Sequence, residues 1–205
     1  MTLKAIGLNC TLAPSPKPSS SQKLLDQLFA ALKKRDVETD SVRLVDLNIK
    51  AGVSHDEGDG DDWPAVRRRI MDADILVVVT PIWVGQPSSI AKRVLERMDA
   101  ILGDIGDDGR YPTFGKVAIV GVVGNEDGAH HVSAELYQGL TDFGFTIPAG
   151  SSAYWVGEAM GSTNYIDLDT TPEPVAKSIE TLASNAAHLA GILKTSNYPA
   201  PLKDG

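Results

Sequence analysis

The sequence lacks most features of a secreted, membrane-spanning or nucleic-acid-binding protein. It has one cysteine, Cys10, in 205 residues, so the chain cannot form an internal disulfide or hold an all-cysteine cluster. No apolar run reaches the length of a membrane span, and residues 1–4 enter a strand pattern instead of a signal peptide. A net charge of -8 argues against a nucleic-acid or anionic-membrane surface. These absences predict a cytoplasmic protein without nucleic-acid or membrane partners.

Several signatures of phosphate and metal chemistry are also missing. No Gly-Lys-Ser/Thr P-loop and no GxGxxG motif follows a predicted strand. Cys10 lacks the arginine six residues later that small phosphatases and arsenate reductases use to hold an oxyanion, because Pro16 stands there. The acidic run at 55–62 lacks the final glutamate of an EF-hand, and the adjacent His130 and His131 diverge on a helix. We therefore predict no metal site and interpret Cys10 as a small apolar core residue.

The chain alternates apolar strand patterns with amphipathic helix patterns. A hydrophobic content of 42% and a charged content of 22% are typical of a globular protein, and the length predicts one domain over residues 1–205. Strands are predicted at 3–9, 41–47, 75–79 and 116–123, with a fifth starting near 145–148. Helices are predicted to begin at 19–21, 63–64 and 88–89, a fourth carries Val132, Leu136, Leu140 and Phe143, and a fifth spans 172–194. Five strands alternating with five helices predict a doubly wound parallel α/β sheet with strand order 2-1-3-4-5.

Local patterns predict which segments of these elements face solvent. In the third helix Arg97 is expected to face out with its charged neighbours, and in the last helix Ile192 is expected to face in. The acidic run at 55–62 is expected to be a solvated loop, with Asp61 or Asp62 capping the second helix. The Gly/Ser-rich segment 149–171 is too long for a simple connection, so we expect it to be functional or to form an interface.

Three loops are expected to meet at the carboxyl edge of the sheet, between strands one and three. The first, 10–21, offers hydroxyl groups directly before a helix start, where free amides and the helix dipole stabilise a phosphate. The same serines can also act simply as helix caps. The second, 80–89, carries Trp83 among apolar residues, which suits a flat ring, although a tryptophan can also close a core or a dimer contact. The third, 123–130, is glycine-bounded, so its backbone can approach a ligand. A phosphate site beside a site for a planar ring suggests FMN.

The run Thr80-Pro81-Ile82-Trp83-Val84-Gly85, with Ser88 or Ser89 before a helix, resembles the Thr-Pro-Ile/Val-Tyr/Trp-x-Gly segment of NADPH-dependent FMN reductases and flavodoxin-like NAD(P)H:quinone oxidoreductases. The resemblance extends from the first strand to the last helix and implies a flavodoxin-like fold. It implies that the isoalloxazine ring of FMN lies against Pro81, Ile82, Trp83, Val84 and Gly85. Phosphate contacts are implied for Thr11, Ser19, Ser20 and Ser21. The family commonly has Gly-Ser-x-Arg in its first loop; this chain has a proline-rich insertion there, and Lys17 is the candidate for the arginine's role.

The resemblance also implies an activity, in which hydride passes from NAD(P)H through FMN to a small acceptor such as a quinone or free flavin. The cofactor supplies that chemistry, so no catalytic side chain is predicted. The expected cofactor contacts are completed by Gly124, Asn125, Glu126, Gly128 and His130, while Tyr154 or Trp155 is expected to cover the ring. Related enzymes imply a homodimer or homotetramer. The alternatives are a flavodoxin-type electron carrier that serves a protein partner, which the acidity favours, and a flavin-binding module without turnover.

Overall fold

A parallel sheet of five long strands runs through the protein, in the order β2-β1-β3-β5-β6. The structure is a computed structural model that describes residues 2–150 and 152–200, so the expectations that touch Met1, Ser151 and 201–205 lie outside it. The strands are β1 (Leu3–Asn9), β2 (Val37–Arg43), β3 (Ile75–Trp83), β4 (Gln86–Pro87), β5 (Val117–Gly124) and β6 (Ser152–Val156). The helices are α1 (Ser20–Lys33), α2 (Trp63–Asp72), α3 (Ser89–Met98), α4 (Ala129–Asp142) and α5 (Glu173–Thr195). In this part of the chain, no helix combines the length and apolar content needed to cross a bilayer.

Two apolar layers cover the sheet, one on each face. Helices α1 and α5 pack on one face and helices α2, α3 and α4 pack on the other. The strand Ile75–Val79 is almost fully buried between them, as its continuous β-branched sequence predicts for a strand covered on both sides. The flavodoxin-like fold class is confirmed, and the predicted order 2-1-3-4-5 holds once the two-residue strand β4, which pairs antiparallel with the end of β3, is set aside.

The second strand lies earlier than the sequence prediction placed it. It spans Val37–Arg43 and pairs in parallel with β1 from Leu3 to Asn9, whereas Leu44–Asp46 forms a single turn of 3-10 helix. Strand β2 lies at an edge of the sheet and is polar at its exposed positions, so its sequence carries little strand signal. The apolar residues Leu44, Val45 and Leu47 follow the strand, and they are the reason the sequence predicts it at 41–47.

The fifth long strand was also misplaced, at 145–148 instead of Ser152–Val156. Thr146 forms a single bridge with Val117, and Pro148 has no N–H group to donate to a ladder. The strand β6 lies inside the segment 149–171, for which no strand is predicted, and it pairs with β5 from Val120 to Gly124. The aromatic residues of that segment are therefore carried by the sheet.

Arg97 is buried, contrary to the expectation that it faces solvent. Its guanidinium lies 2.7 Å from the carboxylate of Asp61, and neither side chain is exposed. It also donates to the carbonyl oxygens of Lys50 and Ser54 at 2.9 and 3.0 Å. The acidic run at 55–62 is thus only partly solvated, because Asp61 turns inward. The prediction that Ile192 faces the core is also wrong, because 45% of its surface is exposed.

The Asp61 carboxylate organises the loop before α2. It accepts hydrogen bonds from the amides of Lys50, Glu57 and Trp63, the last of which is the first residue of α2. Asp62 holds the N-cap position, as one of the two predicted candidates, but its side chain makes no capping bond to the helix. Burial alone would raise the pKa of Asp61, but the bond from Arg97 and these amides outweigh it and lower the pKa to about 2.

Removing the carboxylate charge should destabilise the protein strongly. Asp61→Asn leaves Arg97 buried without its counter-ion, which typically costs about 3–5 kcal/mol of unfolding free energy. Asp40→Asn, at the exposed pair with Arg69, is the matched control and should cost under about 1 kcal/mol. Urea denaturation at pH 7 measures both, and equal small losses would contradict the assignment.

The same carboxylate should contribute to acid sensitivity. Its pKa in the folded protein is about 2, below the ordinary 3.8. Its stabilising contribution is therefore complete above about pH 4 and is lost as the pH falls toward 2. Urea denaturation at several pH values should show a shallower loss over this range for Asp61→Asn than for the wild type.

Candidate functional site

A cleft opens where α1 and α3 leave neighbouring strands toward opposite faces of the sheet. This is the position at which open α/β sheets bind ligands. Its volume is about 270 Å³, close to the lower end of the range for small-molecule sites. It is lined by Thr11, Leu12, Ala13, Pro18, Ser19, Ser20, Ser21, Pro81, Ile82, Trp83, Val123, Gly124, Asn125, Trp155, Asn164, Tyr165 and Ile166.

One end of the cleft is the amino terminus of α1. The hydroxyl of Ser19 accepts from the amide of Gln22 and caps the helix, as the serine run predicts. Thr11 is buried at the same end, and its hydroxyl accepts from the amide of Ala13. The first amides of a helix have no partners within it, so those of Ser20 and Ser21 are available to an anion. This end of the cleft suits a phosphate.

The first two loops are joined by the buried residue Ser88. Its hydroxyl donates to the carbonyl of Cys10 at 2.6 Å and caps α3 by accepting from Ala91, while its amide donates to Thr80. Burial raises the pKa of the Cys10 thiol well above its usual range, which supports the interpretation of this cysteine as an apolar core residue. The hydroxyls of Thr80 and Ser88 thereby fix the second loop beside the first.

The second loop contains a tight hairpin beside the cleft. Strands β3 and β4 pair through Trp83 and Gln86, and the two residues between them have positive φ angles, 54° at Val84 and 71° at Gly85. Gly85 adopts this conformation without cost, whereas a β-branched valine is strained there. The Val84 amide donates to the carboxylate of Glu126 at 3.0 Å. The hairpin is thus held in a strained conformation by the third loop.

The third loop packs directly against this hairpin. A Cβ atom at Gly128 would lie 2.9 Å from the backbone of Gly85, so a side chain there would push the two loops apart. Asn125 lies at the cleft and donates from its side chain to the carbonyl of Gly161. The loop therefore contacts both the hairpin and the chain that follows β6.

A fourth wall of the cleft was largely missed by the sequence prediction. It consists of Trp155 on β6 and of Asn164, Tyr165 and Ile166. The ring centroids of Trp155 and Tyr165 are 5.5 Å apart, and Tyr165 is fully buried. The hydroxyl of Tyr165 donates to the side-chain oxygen of Gln27 at 2.5 Å, and burial raises the pKa of this tyrosine. The aromatic residues between 149 and 171 were the available signal, but only Tyr154 and Trp155 were proposed as a cover.

The structure separates the predicted cofactor contacts into two groups. Thr11, Ser19, Ser20, Ser21, Pro81, Ile82, Trp83, Gly124 and Asn125 line the cleft. Lys17, Val84, Gly85, Glu126, Gly128 and His130 do not. Lys17 lies in a separate open depression with Arg43, which donates to its carbonyl oxygen. The ring of His130 contacts the hydroxyl of Tyr154 at 3.0 Å. Val84 and Gly85 form the turn of the hairpin, and Glu126 and Gly128 contact it from the third loop.

The cleft fits FMN in two respects. The helix start provides amides and hydroxyls for a phosphate without adding charge, and the lining also includes the apolar surface of Pro81, Ile82 and Trp83 for a planar ring. Trp83 is 54% exposed, so part of its ring is free to contact a ligand or partner. Fold and site together define a flavodoxin-like flavin-binding protein.

Comparison with known proteins gives the family. The sequence profile of the NADPH-dependent FMN reductases matches residues 4–161. The chain therefore belongs to this family. The resemblance to this family inferred from the Thr80–Gly85 run is confirmed. FMN and NADPH are the cofactors of the family, and its members are oxidoreductases.

Individual relatives extend the comparison. The chain is 34% identical over 213 residues to 8-demethyl-8-aminoriboflavin-5'-phosphate synthase of Streptomyces davaonensis, covering 99% of this chain and 83% of that protein. It is 37% identical over 206 residues to a divalent metal cation transporter MntH of Mycobacterium bovis, covering 97% of this chain but spanning only 30% of that relative.

Solved structures agree with the fold. The structure of RosB with bound 8-demethyl-8-formylriboflavin-5'-phosphate superposes with a TM-score of 0.87 at 34% identity, covering 96% of this chain and 82% of that one. An NADH:FMN oxidoreductase, EmoB, superposes with a TM-score of 0.68 at 18% identity, covering 98% and 97%. The second likeness supports the fold alone.

Relieving the strain at Val84 should stabilise the protein. Asparagine tolerates a positive φ better than valine, and Val84 is 88% exposed, so Val84→Asn loses little packing. We expect a gain of about 1 kcal/mol, which raises Tm by roughly 2–4 °C for a chain of this size. Val53→Asn, at an exposed valine outside the hairpin, is the control and should leave Tm unchanged in a thermal scan. A Tm for Val84→Asn at or below the wild type would show that the turn is unstrained.

Proposed function

We propose that this protein is an FMN-dependent NAD(P)H oxidoreductase that transfers hydride through FMN to a small acceptor such as a quinone or free flavin. The observation that carries the proposal is that a helix start suited to phosphate and an apolar aromatic surface line the same cleft. Membership of the NADPH-dependent FMN reductase family supports it. The expectation of one FMN-binding domain over 1–205 is part of the proposal.

The residues of the cleft bind and orient the cofactor. Bound FMN would supply the hydride-transfer chemistry between NAD(P)H and the acceptor. The amides of Ser20 and Ser21, with the hydroxyls around them, hold the phosphate, and Trp83 packs on the ring. Glu126 and Gly128 act by holding the hairpin that contains Val84 and Gly85. No side chain of the cleft is assigned a proton transfer.

The face around the cleft is proposed as the contact between subunits of a homodimer or homotetramer. Four exposed apolar side chains lie on this face: Leu12, Trp83, Tyr154 and Met160. Exposed apolar patches of this kind mark interaction surfaces. A second subunit there would also shield the ring from water. A cytoplasmic location is proposed from the sequence, together with the absence of nucleic-acid and membrane partners.

A second candidate function is the chemical modification of a flavin phosphate. The relative from Streptomyces davaonensis is named as a synthase of 8-demethyl-8-aminoriboflavin-5'-phosphate, and RosB was solved with a flavin phosphate intermediate. At 34% identity over nearly the whole chain, the same cleft is a candidate for binding FMN as a substrate. A flavodoxin-type carrier serving a protein partner is the third candidate.

Anaerobic reduction tests the proposal. The purified protein is loaded with FMN, the absorption of the flavin is followed after NADPH is added, and a quinone is then added. We expect rapid bleaching, re-oxidation by the quinone, and recovery of FMN with an unchanged mass. The same mixture in which the protein has been heat-denatured is the control for direct reaction between NADPH and FMN.

Each other outcome contradicts the reductase in its own way. A flavin of altered mass would identify the modifying enzyme. Bound FMN that does not bleach with NADPH, but is reduced by a redox protein, would identify the carrier. Failure to bind FMN would overturn the assignment of the cleft.

A further inference from the structure

The wall of the cleft at 164–168, here called the wall segment, is attached to α1 by polar contacts. The ammonium group of Lys23 donates to the carbonyl oxygens of Tyr165, Ile166 and Leu168 at 3.1, 3.4 and 2.7 Å. Its three N–H groups are thereby all engaged by one short stretch of chain. The same ammonium lies 5.3 Å from the centroid of the Tyr165 ring. Lys23 is thus a clamp between α1 and the wall segment.

The clamp lies next to a second contact that reaches the phosphate end of the cleft. The amide of Ile166 donates to the hydroxyl oxygen of Ser20 at 3.2 Å. Ser20 is the first residue of α1 and lines the cleft. Because the oxygen of this hydroxyl already accepts a hydrogen bond, its hydrogen remains available to donate to another acceptor. The wall segment therefore restricts the orientation of the Ser20 hydroxyl.

We propose that Lys23 is a positioning residue for phosphate recognition, which holds the Ile166 amide against Ser20 so that the Ser20 hydroxyl donates to the phosphate of FMN. The inference rests on the proposed function, since it takes the phosphate to bind at the start of α1. The three N–H groups of Lys23 are occupied by the wall segment. Lys23 therefore affects the affinity for FMN indirectly, by fixing the Ser20 hydroxyl. Loss of the clamp frees the wall segment and leaves the hydroxyl without a fixed orientation.

The discriminating quantity is the ratio of the dissociation constants for riboflavin and FMN, which differ only in the phosphate. Fluorescence titration of the protein freed of flavin gives both constants. We expect Lys23→Met to lower this ratio about tenfold, the size expected for a hydrogen bond to a charged group, and Lys23→Arg to restore part of it. Lys34→Met, at the C-cap of the same helix and in an exposed pair with Glu180, is the matched control and should leave the ratio unchanged.

A double-mutant cycle with Ser20→Ala separates this route from a long-range effect of the Lys23 charge. If Lys23 acts through Ser20, the double variant Ser20→Ala/Lys23→Met has the same ratio as Ser20→Ala alone. Additive losses would overturn the proposal, as would equal weakening of riboflavin and FMN by Lys23→Met. If the wild type binds neither flavin, the proposed function fails instead, so the two failures are distinguishable.

Hydrogen exchange of the wild type keeps the proposal testable if Lys23→Met does not fold. The amide of Ile166 should be protected in the free protein and should gain protection when FMN binds, but gain less with riboflavin. Equal gains with the two flavins at saturation would contradict a link between the wall segment and the phosphate.

Discussion

The divergence of α1 and α3 to opposite faces of the sheet is the constraint on which the site depends. The neighbouring strands β1 and β3 deliver their chains to the same edge, but the helices that follow pack in different apolar layers. Among residues 2–150 and 152–200, neither α1 nor α3 covers the edge between these strands, and a cleft opens there. The cleft follows from the order of the strands and requires no special chemistry in the core beneath it.

Polar contacts then convert an open edge into a defined site. Ser88 joins the first loop to the second, and Glu126 joins the second to the third. Lys23 joins the fourth wall to α1. Ser88, Glu126 and Lys23 each hold a segment of the cleft in place by hydrogen bonds. The residues that would contact the cofactor are thus different from the residues that hold the loops in place. The family motif at Thr80–Gly85 includes residues of the first kind, Pro81, Ile82 and Trp83.

The sequence predicted those features that depend on neighbouring residues. The serines at 19–21 predict a helix start and the run at 75–79 predicts a buried strand, and the structure has both there. The segment from Thr80 to Gly85 predicts the ring-binding loop, and the structure places its residues 81–83 at the cleft. Hydrophobic periodicity and helix-capping residues depend only on residues close together in the sequence, so they can be recognised without knowing the fold. The ion pair of Arg97 with Asp61 joins residues far apart in the chain, and no local pattern shows it. The wall at Asn164–Ile166 depends in the same way on contacts with α1.

A crystal structure of the protein with FMN tests the central claim most directly. The account predicts the phosphate at the amides of Ser20 and Ser21, the isoalloxazine ring against Trp83, and Ile166 still bonded to Ser20. A flavin whose phosphate lies elsewhere, for example in the depression beside Lys17, would contradict it.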